Sequence, residues 1–533
     1  MSSGDGSKAV AARQLEDRDG DAKFKATAEL GGDTAAQLIG AQHIEVTEED
    51  NKRILRKTDS RILAILIWVY FLQILDKSVL GYGAIFGLRD DTGLTGDQYS
   101  MVSSISAIVT LAWQPFSSWL IVRVPHRILM PTLVLGWGTA QACMAASHSY
   151  AGLLVTRALL GLFEAGCLPL FSVITSQWYR RAEQPLRVAL WYGTNGVSTM
   201  FAAALSFGLW HIQGSLHSWQ VLFLFVGLMT VATAPVAYYV LDNDIASARF
   251  LSEREKLMAL ERLRANQTGT GSREFKMSHV KETLLEPKTW LFVGTALCIN
   301  LIATVTNTFG PIVVTGFGFD SLRASLLNIP FGAVQVIVIM GSSWAAHRFS
   351  VKSAFLAVIT LPVLAGSIML FVLGRDSIPP LLVAYYMLAF VFGGNPLLAS
   401  WMIANTAGQT KKSVIMSLFN AGSAAGQMIG PLLFNARDAP GYHPGLTKVM
   451  GVAGALVAII GLTTLHLVFL NRQQGNRRVL NGKPRDITDL SMQHSYAGFR
   501  ADDSEAAEGA VRLGENAFLD MTDRQNDEFV YVY

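Results

Sequence analysis

Charge is scarce in this sequence. Lys, Arg, Asp and Glu make up 16% of its 533 residues, against about 25% in an ordinary soluble domain. The charged residues collect in two terminal stretches, one central stretch and several short connectors, and long apolar runs separate them. A soluble chain of this length divides into domains with polar surfaces. The distribution therefore predicts a membrane protein, and a net charge of only +3 points to no nucleic-acid partner.

Cysteine is scarce as well. Cys143, Cys167 and Cys298 all fall inside apolar runs, so the sequence has neither a disulfide framework nor a cysteine spacing that binds a metal. The histidines lie near the ends of apolar runs or in connectors without an accompanying nucleophile, so we predict neither an enzyme nor a cofactor. Residues 1–57 lack the apolar core of a secretory signal peptide, and the first apolar run is expected to act as its own membrane signal.

Twelve apolar runs reach the roughly 20 residues that a membrane-spanning helix needs. They lie at residues 61–82, 98–121, 128–147, 151–173, 186–209, 219–240, 289–310, 324–345, 352–373, 379–403, 412–434 and 446–470. A polar linker at 241–288 divides them into two sets of six, at 58–240 and 289–470. The pattern predicts an all-α membrane protein with twelve transmembrane helices and with tails at 1–57 and 471–533.

The short connectors differ in charge on the two sides of the predicted membrane. Counted from an inner N-terminus, the inner connectors hold nine Lys and Arg residues and one acid, Glu183, whereas the outer connectors hold five basic and six acidic residues. Cytosolic loops carry the excess of Lys and Arg in membrane proteins. Both tails and the linker are therefore expected in the cytosol.

Residues 252–266 of the linker predict an amphipathic helix. Ser252 and Glu255 form a capping-box pattern, and leucines spaced three residues apart follow them. We interpret this helix as a surface element that joins the two halves. Residues 1–50 and 475–533 have the composition of disordered tails.

Four ionisable residues lie inside predicted spans, where each costs on the order of 2.5–3.5 kcal/mol at the bilayer centre. Asp76 and Lys77 lie in the outer part of the first span, and Arg157 and Glu164 lie in the fourth. Seven residues turn a helix by about 700°, so Arg157 and Glu164 share one face, roughly 10.5 Å apart along the axis. An acid and a base placed in this way suit a water-filled cavity that handles charge.

Both pairs have a structural alternative. Arg157 and Glu164 are alternatively members of a buried ion pair that only locks two helices together. Asp76 and Lys77 alternatively lie close to the outer headgroups, where their side chains reach water.

Amide side chains supply polar groups in both halves. They are Asn195 in the fifth span, Asn300 and Asn307 in the seventh, Asn395 and Asn405 in the tenth, and Asn420 and Gln427 in the eleventh. For any one of them, a hydrogen bond between helices is the simpler interpretation. As a set they provide the donors and acceptors that a central solute site requires, and Asn195, Asn307 and Asn395 are taken as candidate substrate contacts.

Several motifs together resemble a known family. They are LDKS at 75–78, GLRDDTGLTGDQYS at 87–100, RALLGLFEAG at 157–166, WYRRAEQPLR at 178–187, ARFLSERE at 248–255 with RLRAN at 262–266, WMIAN at 401–405 with Gly408, and FNAG at 419–422 running to Pro431. The chain resembles the major facilitator superfamily, specifically the anion:cation symporter group and its fungal allantoate permease branch. The resemblance covers residues 60–475.

The resemblance implies two six-helix bundles around a central cavity that opens to alternate sides. In this group the acid and base of the first span and the Arg and Glu of the fourth form the charged core of the site. Carried over to this chain, Lys77 and Arg157 attract a substrate carboxylate. Asp76 and Glu164 become candidates for proton coupling, and Asn420 becomes a polar substrate contact.

Two departures from the family pattern stand out. Lys77 occupies a position where many relatives have Arg, so a bidentate fork is replaced by a point charge. The loop RVPHR at 123–127 lacks the acidic residue of the usual gating motif of the superfamily. We therefore expect gating in this chain to differ in detail.

These features predict a monomeric secondary transporter in the plasma membrane of a fungal cell. It is expected to take up a small organic anion (a carboxylate, ureido acid or vitamin-like compound) together with protons. Two alternatives stay open. One is efflux of a secondary metabolite by the same fold, and the other is a nutrient sensor that does not transport.

Overall fold

The computed structural model describes residues 46–85, 87–94, 98–210, 216–264, 266, 274–315, 328–373, 378–433, 443–487 and 520–533. Within these residues the regular structure is helical throughout.

Six long helical stretches form the N-terminal half. The first span combines α1 (Glu48–Thr58), a π-helical turn (Asp59–Leu63) and α2 (Ala64–Ile85), and the short α3 (Leu88–Asp91) follows it. The second to sixth spans are α4 (Gln98–Arg123), α5 (His126–Met144), α6 with α7 (Tyr150–Glu164 and Cys167–Trp178), α8 with α9 (Gln184–Tyr192 and Thr194–Trp210) and α10 (Ser218–Val240).

The linker and the C-terminal half follow. The linker contains α11 (Glu253–Arg264) and α12 (Met277–Leu285). The seventh to ninth spans are α13 (Pro287–Thr315), α14 (Asn328–Phe349) and α15 (Lys352–Val372). The tenth joins α16 (Ile378–Leu388), a 3-10 turn (Ala389–Gly393) and α17 (Gly394–Ala404), and the last two are α18 (Gln409–Leu432) and α19 (His443–Leu480).

Each predicted span corresponds to one of these helical stretches, so the predicted fold class is confirmed. In the described part of the chain, eight of the stretches are long and apolar enough to cross a membrane on length and composition alone. For the third, fifth, seventh and eleventh spans, the described residues alone do not meet that criterion. The eleventh, for example, contains Asn420, Gln427 and several Ser and Gly residues, which lower its mean hydropathy.

The helices of each half pack mainly on one another. In the N-terminal half the sixth span lies against the third and the first, and the fourth lies against the second and third. In the C-terminal half the seventh span lies against the eleventh and twelfth, and the ninth lies against the tenth and twelfth. The halves meet where the second span contacts the eleventh and the fifth contacts the eighth.

A close approach between glycines marks this contact between halves. A Cβ atom added to Gly196 in the fifth span would lie 2.5 Å from the carbonyl oxygen of Gly332 in the eighth. A side chain at Gly196 would collide with this backbone, and small residues of this kind allow two membrane helices to approach closely. In the other contact, Ser413 Oγ of the eleventh span donates a hydrogen bond of 2.8 Å to the carbonyl oxygen of Ser118 in the second.

The predicted amphipathic helix of the linker is confirmed as α11, with its capping box. The N–H of Ser252 donates to Glu255 Oε2 at 3.0 Å, and the N–H of Glu255 donates to Ser252 Oγ at 3.3 Å. Helix α1 docks on it, because Lys57 Nζ lies 2.7 Å from Glu255 Oε1. We call the end of the molecule that carries α1 and the linker the linker side.

The sequence predicted disordered tails at residues 1–50 and 475–533, and this prediction is wrong for part of each tail. Helix α1 begins at Glu48, the twelfth span continues to Leu480, and residues 520–533 are packed against the linker side. Their polar composition resembles that of a disordered tail, but partners distant in the sequence bury them. Residues 1–45 and 488–519 lie outside the described residues.

Candidate functional site

A break in the fourth span lies at the centre of the candidate site. Helix α6 ends at Glu164 and α7 begins at Cys167. Such an interruption leaves carbonyl groups without their helical partners. The carbonyl oxygen of Ala165 instead accepts hydrogen bonds from Gln114 Nε2 at 3.3 Å and from Asn420 Nδ2 at 3.0 Å. Asn420 belongs to the eleventh span, so this bond joins the two halves at the break.

Glu164 forms an ion pair with Lys77 across the first and fourth spans. The distance from Lys77 Nζ to Glu164 Oε1 is 2.8 Å. The carboxylate is 8% exposed, whereas the Lys77 side chain is 47% exposed. Lys77 therefore bridges an exposed surface and the buried acid of the fourth span.

Arg157 is buried, and no described residue forms an ion pair with it. The residue is 4% exposed, and it interacts electrostatically with Glu164 and Asp76. Among the described residues no group pairs with its guanidinium or accepts a hydrogen bond from its Nε atom. Arg157 and Glu164 are thus not paired with each other; Glu164 instead pairs with Lys77 of the first span, so the alternative of an ion pair that locks two helices together stays open for Glu164. A buried cation without a bonded partner is costly.

Asp76 points into the N-terminal half rather than toward the membrane surface. It is 2% exposed, and its Oδ2 atom accepts a hydrogen bond of 2.7 Å from Trp137 Nε1 in the third span. Its Oδ1 atom is buried and has no hydrogen-bond partner among the described residues. The alternative of a headgroup location is therefore wrong for Asp76. Trp137 was missed in the sequence because a tryptophan in an apolar span usually serves only as core.

The amides have several different surroundings. Asn395, next to the 3-10 turn of the tenth span, accepts a hydrogen bond of 3.0 Å from Asn300 Nδ2. The same Asn300 atom lies 3.0 Å from Ser423 Oγ, so three spans meet in one polar cluster. Asn195 is half-buried beside the close contact at Gly196.

The remaining amides lie apart from the charged residues or outside the description. The Asn307 side chain lies outside the described residues. Asn405 lies at the linker side and bonds the backbone of Val532 instead of the central site. Gln427 is exposed on the eleventh span. Of the predicted candidates, the structure thus brings Asp76, Lys77, Arg157, Glu164 and Asn420 together and leaves Asn395 in a separate cluster.

The loop that lacks the usual acidic residue is tied to the sixth span in another way. The N–H of Arg127 donates to Asn243 Oδ1 at 3.0 Å, and Arg127 Nε donates to the carbonyl oxygen of Tyr238 at 3.1 Å. The Arg127 guanidinium also lies 4.6 Å from the centre of the Tyr238 ring. The connection therefore relies on a side-chain amide oxygen, a backbone carbonyl and an aromatic face.

Comparison with known proteins agrees with this architecture. The sequence matches the Major Facilitator Superfamily profile over residues 66–431. The chain belongs to the major facilitator superfamily. An uncharacterized transporter of Schizosaccharomyces pombe is 30% identical, with 96% of this chain and 93% of that protein covered.

Two named relatives from Saccharomyces cerevisiae align over most of the chain. The thiamine pathway transporter is 29% identical and covers 91% of this chain and 87% of its own length. The allantoate permease is 28% identical and covers 92% of this chain and 88% of its own length. The resemblance to the allantoate permeases is thereby confirmed.

A solved structure of the superfamily supports the fold. The proton:xylose symporter superposes with a TM-score of 0.60 at 12% identity, with 78% of this chain and 96% of that chain covered. The present chain is accordingly a multi-pass membrane protein and a secondary transporter of the major facilitator superfamily.

Proposed function

We propose that this transporter carries a small organic anion into the cell together with a proton. The observation that carries the proposal is Arg157, a buried guanidinium without a bonded partner among the described residues. An anion that entered this site would supply the missing counterion. A carboxylate suits it in particular, because a guanidinium presents two parallel donors that match the two carboxylate oxygens.

The Lys77–Glu164 ion pair links the anion to a proton. In the structure the Glu164 carboxylate is paired with the Lys77 ammonium, and Oε1 lies 2.8 Å from Nζ. A substrate carboxylate that approaches Lys77 meets the negative charge of Glu164 at short range, and two like charges in a poorly hydrated space repel strongly. Protonation of Glu164 removes that charge and releases Lys77. Substrate and proton then bind together more favourably than either binds alone.

Asp76 has a different place in this scheme. Its carboxyl group is buried against Trp137 and is separated from bulk water. It interacts electrostatically with Glu164 and Arg157, so its protonation state changes the field that both experience. We assign the exchanging proton to Glu164 and a supporting electrostatic role to Asp76.

The bond between Asn420 and Ala165 couples the site to movement of the halves. It crosses from the eleventh span to the residue directly after Glu164. A change in charge at Glu164 therefore acts beside a contact that must break when the halves separate. This arrangement supports alternating access driven by occupancy of the site.

The relatives suggest the class of anion. One of them is named an allantoate permease, and allantoate is a ureido acid with a carboxylate. Its carboxylate fits Arg157 and Lys77, and its ureido groups require amide or hydroxyl partners, which the Asn300, Asn395 and Ser423 cluster offers. Asn195 and Asn307 remain candidate contacts for the same polar part.

The excess of Lys and Arg in the connectors of the linker side supports a cytosolic location for that side. Both tails then lie in the cytosol. A plasma-membrane location and function as a monomer complete the proposal.

Uptake into proteoliposomes tests the proposal. Purified protein is reconstituted, an inward proton gradient is imposed, and accumulation of radiolabelled allantoate and of a panel of small carboxylates is measured. The wild type should concentrate at least one carboxylate, and the proton gradient should collapse faster when that carboxylate is present. Glu164→Gln should lose accumulation but retain exchange of internal for external substrate.

The same assay separates the alternatives. Efflux would be indicated if substrate accumulated only when the proton gradient favours substrate movement away from the linker side. Absence of both uptake and exchange for every compound, with carboxylate binding retained, would favour a sensor. Undiminished accumulation by Glu164→Gln would remove Glu164 from the coupling mechanism.

A further inference from the structure

Residues 520–533 are bound to the linker side of the molecule as if they formed part of its core. Phe529 is 0% exposed, Tyr531 is 2% exposed and Asp523 is 0% exposed. Most of the segment has no regular secondary structure. Its burial therefore depends on the surface that receives it.

A buried ion-pair cluster anchors the beginning of the segment. Asp523 Oδ2 lies 2.6 Å from Lys288 Nζ, and Asp523 Oδ1 lies 2.9 Å from Lys411 Nζ. Burial alone would raise the pKa of Asp523, but the charges and hydrogen bonds of Lys288 and Lys411 hold it well below its usual range. The carboxylate therefore stays charged at any physiological pH, and it joins the first residues of the seventh and eleventh spans.

The residues around Asp523 bind helix α12 and the start of the eleventh span. Lys276 Nζ lies 3.1 Å from Asp520 Oδ2, and Asp520 Oδ1 accepts a hydrogen bond of 2.8 Å from the N–H of Gln409. Thr522 Oγ1 donates to Glu282 Oε2 at 3.1 Å. The linker thus forms one wall of the binding surface.

The end of the segment is held in the manner of an extended peptide. Asn405 makes two hydrogen bonds with Val532, from the Val532 N–H to Oδ1 at 2.7 Å and from Nδ2 to the Val532 carbonyl at 2.9 Å. Asn471 makes the same pair of bonds with Tyr531, at 2.8 Å each. Main-chain bonds of this kind give affinity, and pockets for alternate side chains give specificity. Phe529 and Tyr531 occupy such alternate positions.

One residue of the N-terminal half takes part in this contact. Arg181, in the loop between the fourth and fifth spans, donates from Nη1 to the carbonyl oxygen of Val530 at 3.1 Å. Its guanidinium lies 4.2 Å from the centre of the Phe529 ring, and it also donates to the carbonyl oxygen of Ala404 in the tenth span. The segment therefore connects the two halves through Arg181.

We propose that the linker side carries a peptide-binding site for residues 520–533 of the same chain, and that its occupancy latches the two halves together on that side. The segment binds residues of the C-terminal half and the linker together with Arg181 of the N-terminal half, so separation of the halves must break its contacts. Because the segment is tethered to the protein that binds it, the docking is intramolecular and favoured by a high effective concentration. Release of the segment shifts the population toward the state that is open on the linker side.

Cysteine accessibility tests the latch without knowledge of the substrate. Cys143, Cys167 and Cys298 are replaced by Ala, and Ser118→Cys is introduced at the contact between the second and eleventh spans, where Ser118 is 5% exposed. The purified full chain in nanodiscs is treated with fluorescein maleimide. A variant that ends at residue 519 should react about tenfold faster, and addition of a synthetic 520–533 peptide should restore the slow rate.

Matched variants separate the latch from general damage. Phe529→Ala removes the ring beneath Arg181 and should accelerate labelling, whereas Arg524→Gln alters an exposed side chain of the same segment and should not. A peptide that carries Asp523→Asn should fail to restore the slow rate. Equal labelling rates for the intact, shortened and Phe529→Ala proteins would overturn the proposal. If the shortened variant does not fold, the labelling rates of Phe529→Ala with and without the synthetic peptide provide the test on their own.

Discussion

The ammonium group of Lys77 in the first span lies 2.8 Å from the carboxylate of Glu164, the last residue before the break in the fourth span. The pair stands beside Arg157, which has no bonded partner among the described residues, and beside the Ala165 carbonyl that Asn420 reaches from the other half. A buried guanidinium, a buried carboxylate and a contact between the halves therefore lie along about two turns of the fourth span and its surroundings.

Arg157 should be essential for binding the anion. Arg157→Ala removes charge-assisted hydrogen bonds worth about 1.5–3 kcal/mol, so carboxylate affinity should fall roughly 10- to 100-fold. Arg157→Lys keeps the charge but loses the fork, and it should recover only part of the affinity. Equilibrium binding of a radiolabelled carboxylate to purified variants measures the effect. Wild-type affinity in Arg157→Ala would reduce this residue to a structural role.

Asn420 should affect the rate of transport more than the affinity for substrate. Its Nδ2 atom donates to Ala165 at 3.0 Å across the halves, so its amide is engaged before any substrate arrives. Asn420→Ala should lower the maximal rate several-fold and leave KM within about twofold. Gln427→Ala, on the exposed side of the same span, is the control. A large increase in KM with an unchanged rate would instead support a direct substrate contact.

Gly196 should tolerate no larger residue. A Cβ atom at this position would lie 2.5 Å from the Gly332 carbonyl oxygen, so Gly196→Val forces the fifth and eighth spans apart. Transport and the unfolding temperature should both fall. Gly208→Val in the same span provides the matched control, because a Cβ atom there meets nothing within 4 Å. Equal effects of the two substitutions would contradict the close contact.

Glu255 should stabilise the docking of α1 on the linker over a defined pH range. Burial alone would raise its pKa, but hydrogen bonds from Lys57 and the Ser252 N–H, together with the charges of Lys57 and Arg53, lower it to about 2. A lowered folded-state pKa gives stability that is fully present above the ordinary value of 4.5 and is lost as the pH falls toward about 2.

Glu255→Gln should therefore lower the unfolding midpoint at pH 7 by roughly 2–4 °C, the shift that about 1 kcal/mol produces in domains of 150–250 residues. The difference from wild type should be constant from pH 8 to pH 5 and should shrink below about pH 4.5. Glu253→Gln on the same helix, where the side chain is 85% exposed, should change little. Thermal unfolding in detergent across this pH series provides the measurement, and a difference that grows on acidification would contradict the assignment.

The fold was predictable from the sequence because the bilayer demands apolar runs of a set length. The spans and the capping box at Ser252 follow from local patterns of this kind. The four charged residues were also predictable, since charge inside a span has few explanations. The pairing of these charged residues was not predictable, because it depends on how two helices are rotated and on the break after Glu164. The sequence Glu164-Ala165-Gly166 contains no local signal for that break, since glycine is also common in unbroken membrane helices.

The bound segment at residues 520–533 was missed for a different reason. Residues 520–528 are mostly polar, with three Asp and one Glu among nine residues, and the apolar and aromatic run is confined to the last five residues, Phe529 to Tyr533. Its order arises from Lys288, Lys411 and Arg181, which lie more than a hundred residues away in the sequence. Partners at such separations are visible only when the chain is folded.

The most direct test of the account is the number of protons taken up when the anion binds. Calorimetry of carboxylate binding to purified protein, in buffers of different ionisation enthalpy, reports that number. If the substrate replaces Glu164 at Lys77, the wild type should take up close to one proton per bound anion near pH 7. Glu164→Gln should take up close to none, and its anion binding should be retained and independent of pH. Uptake of one proton by Glu164→Gln, equal to the wild type, would contradict the central role of the Lys77–Glu164 pair.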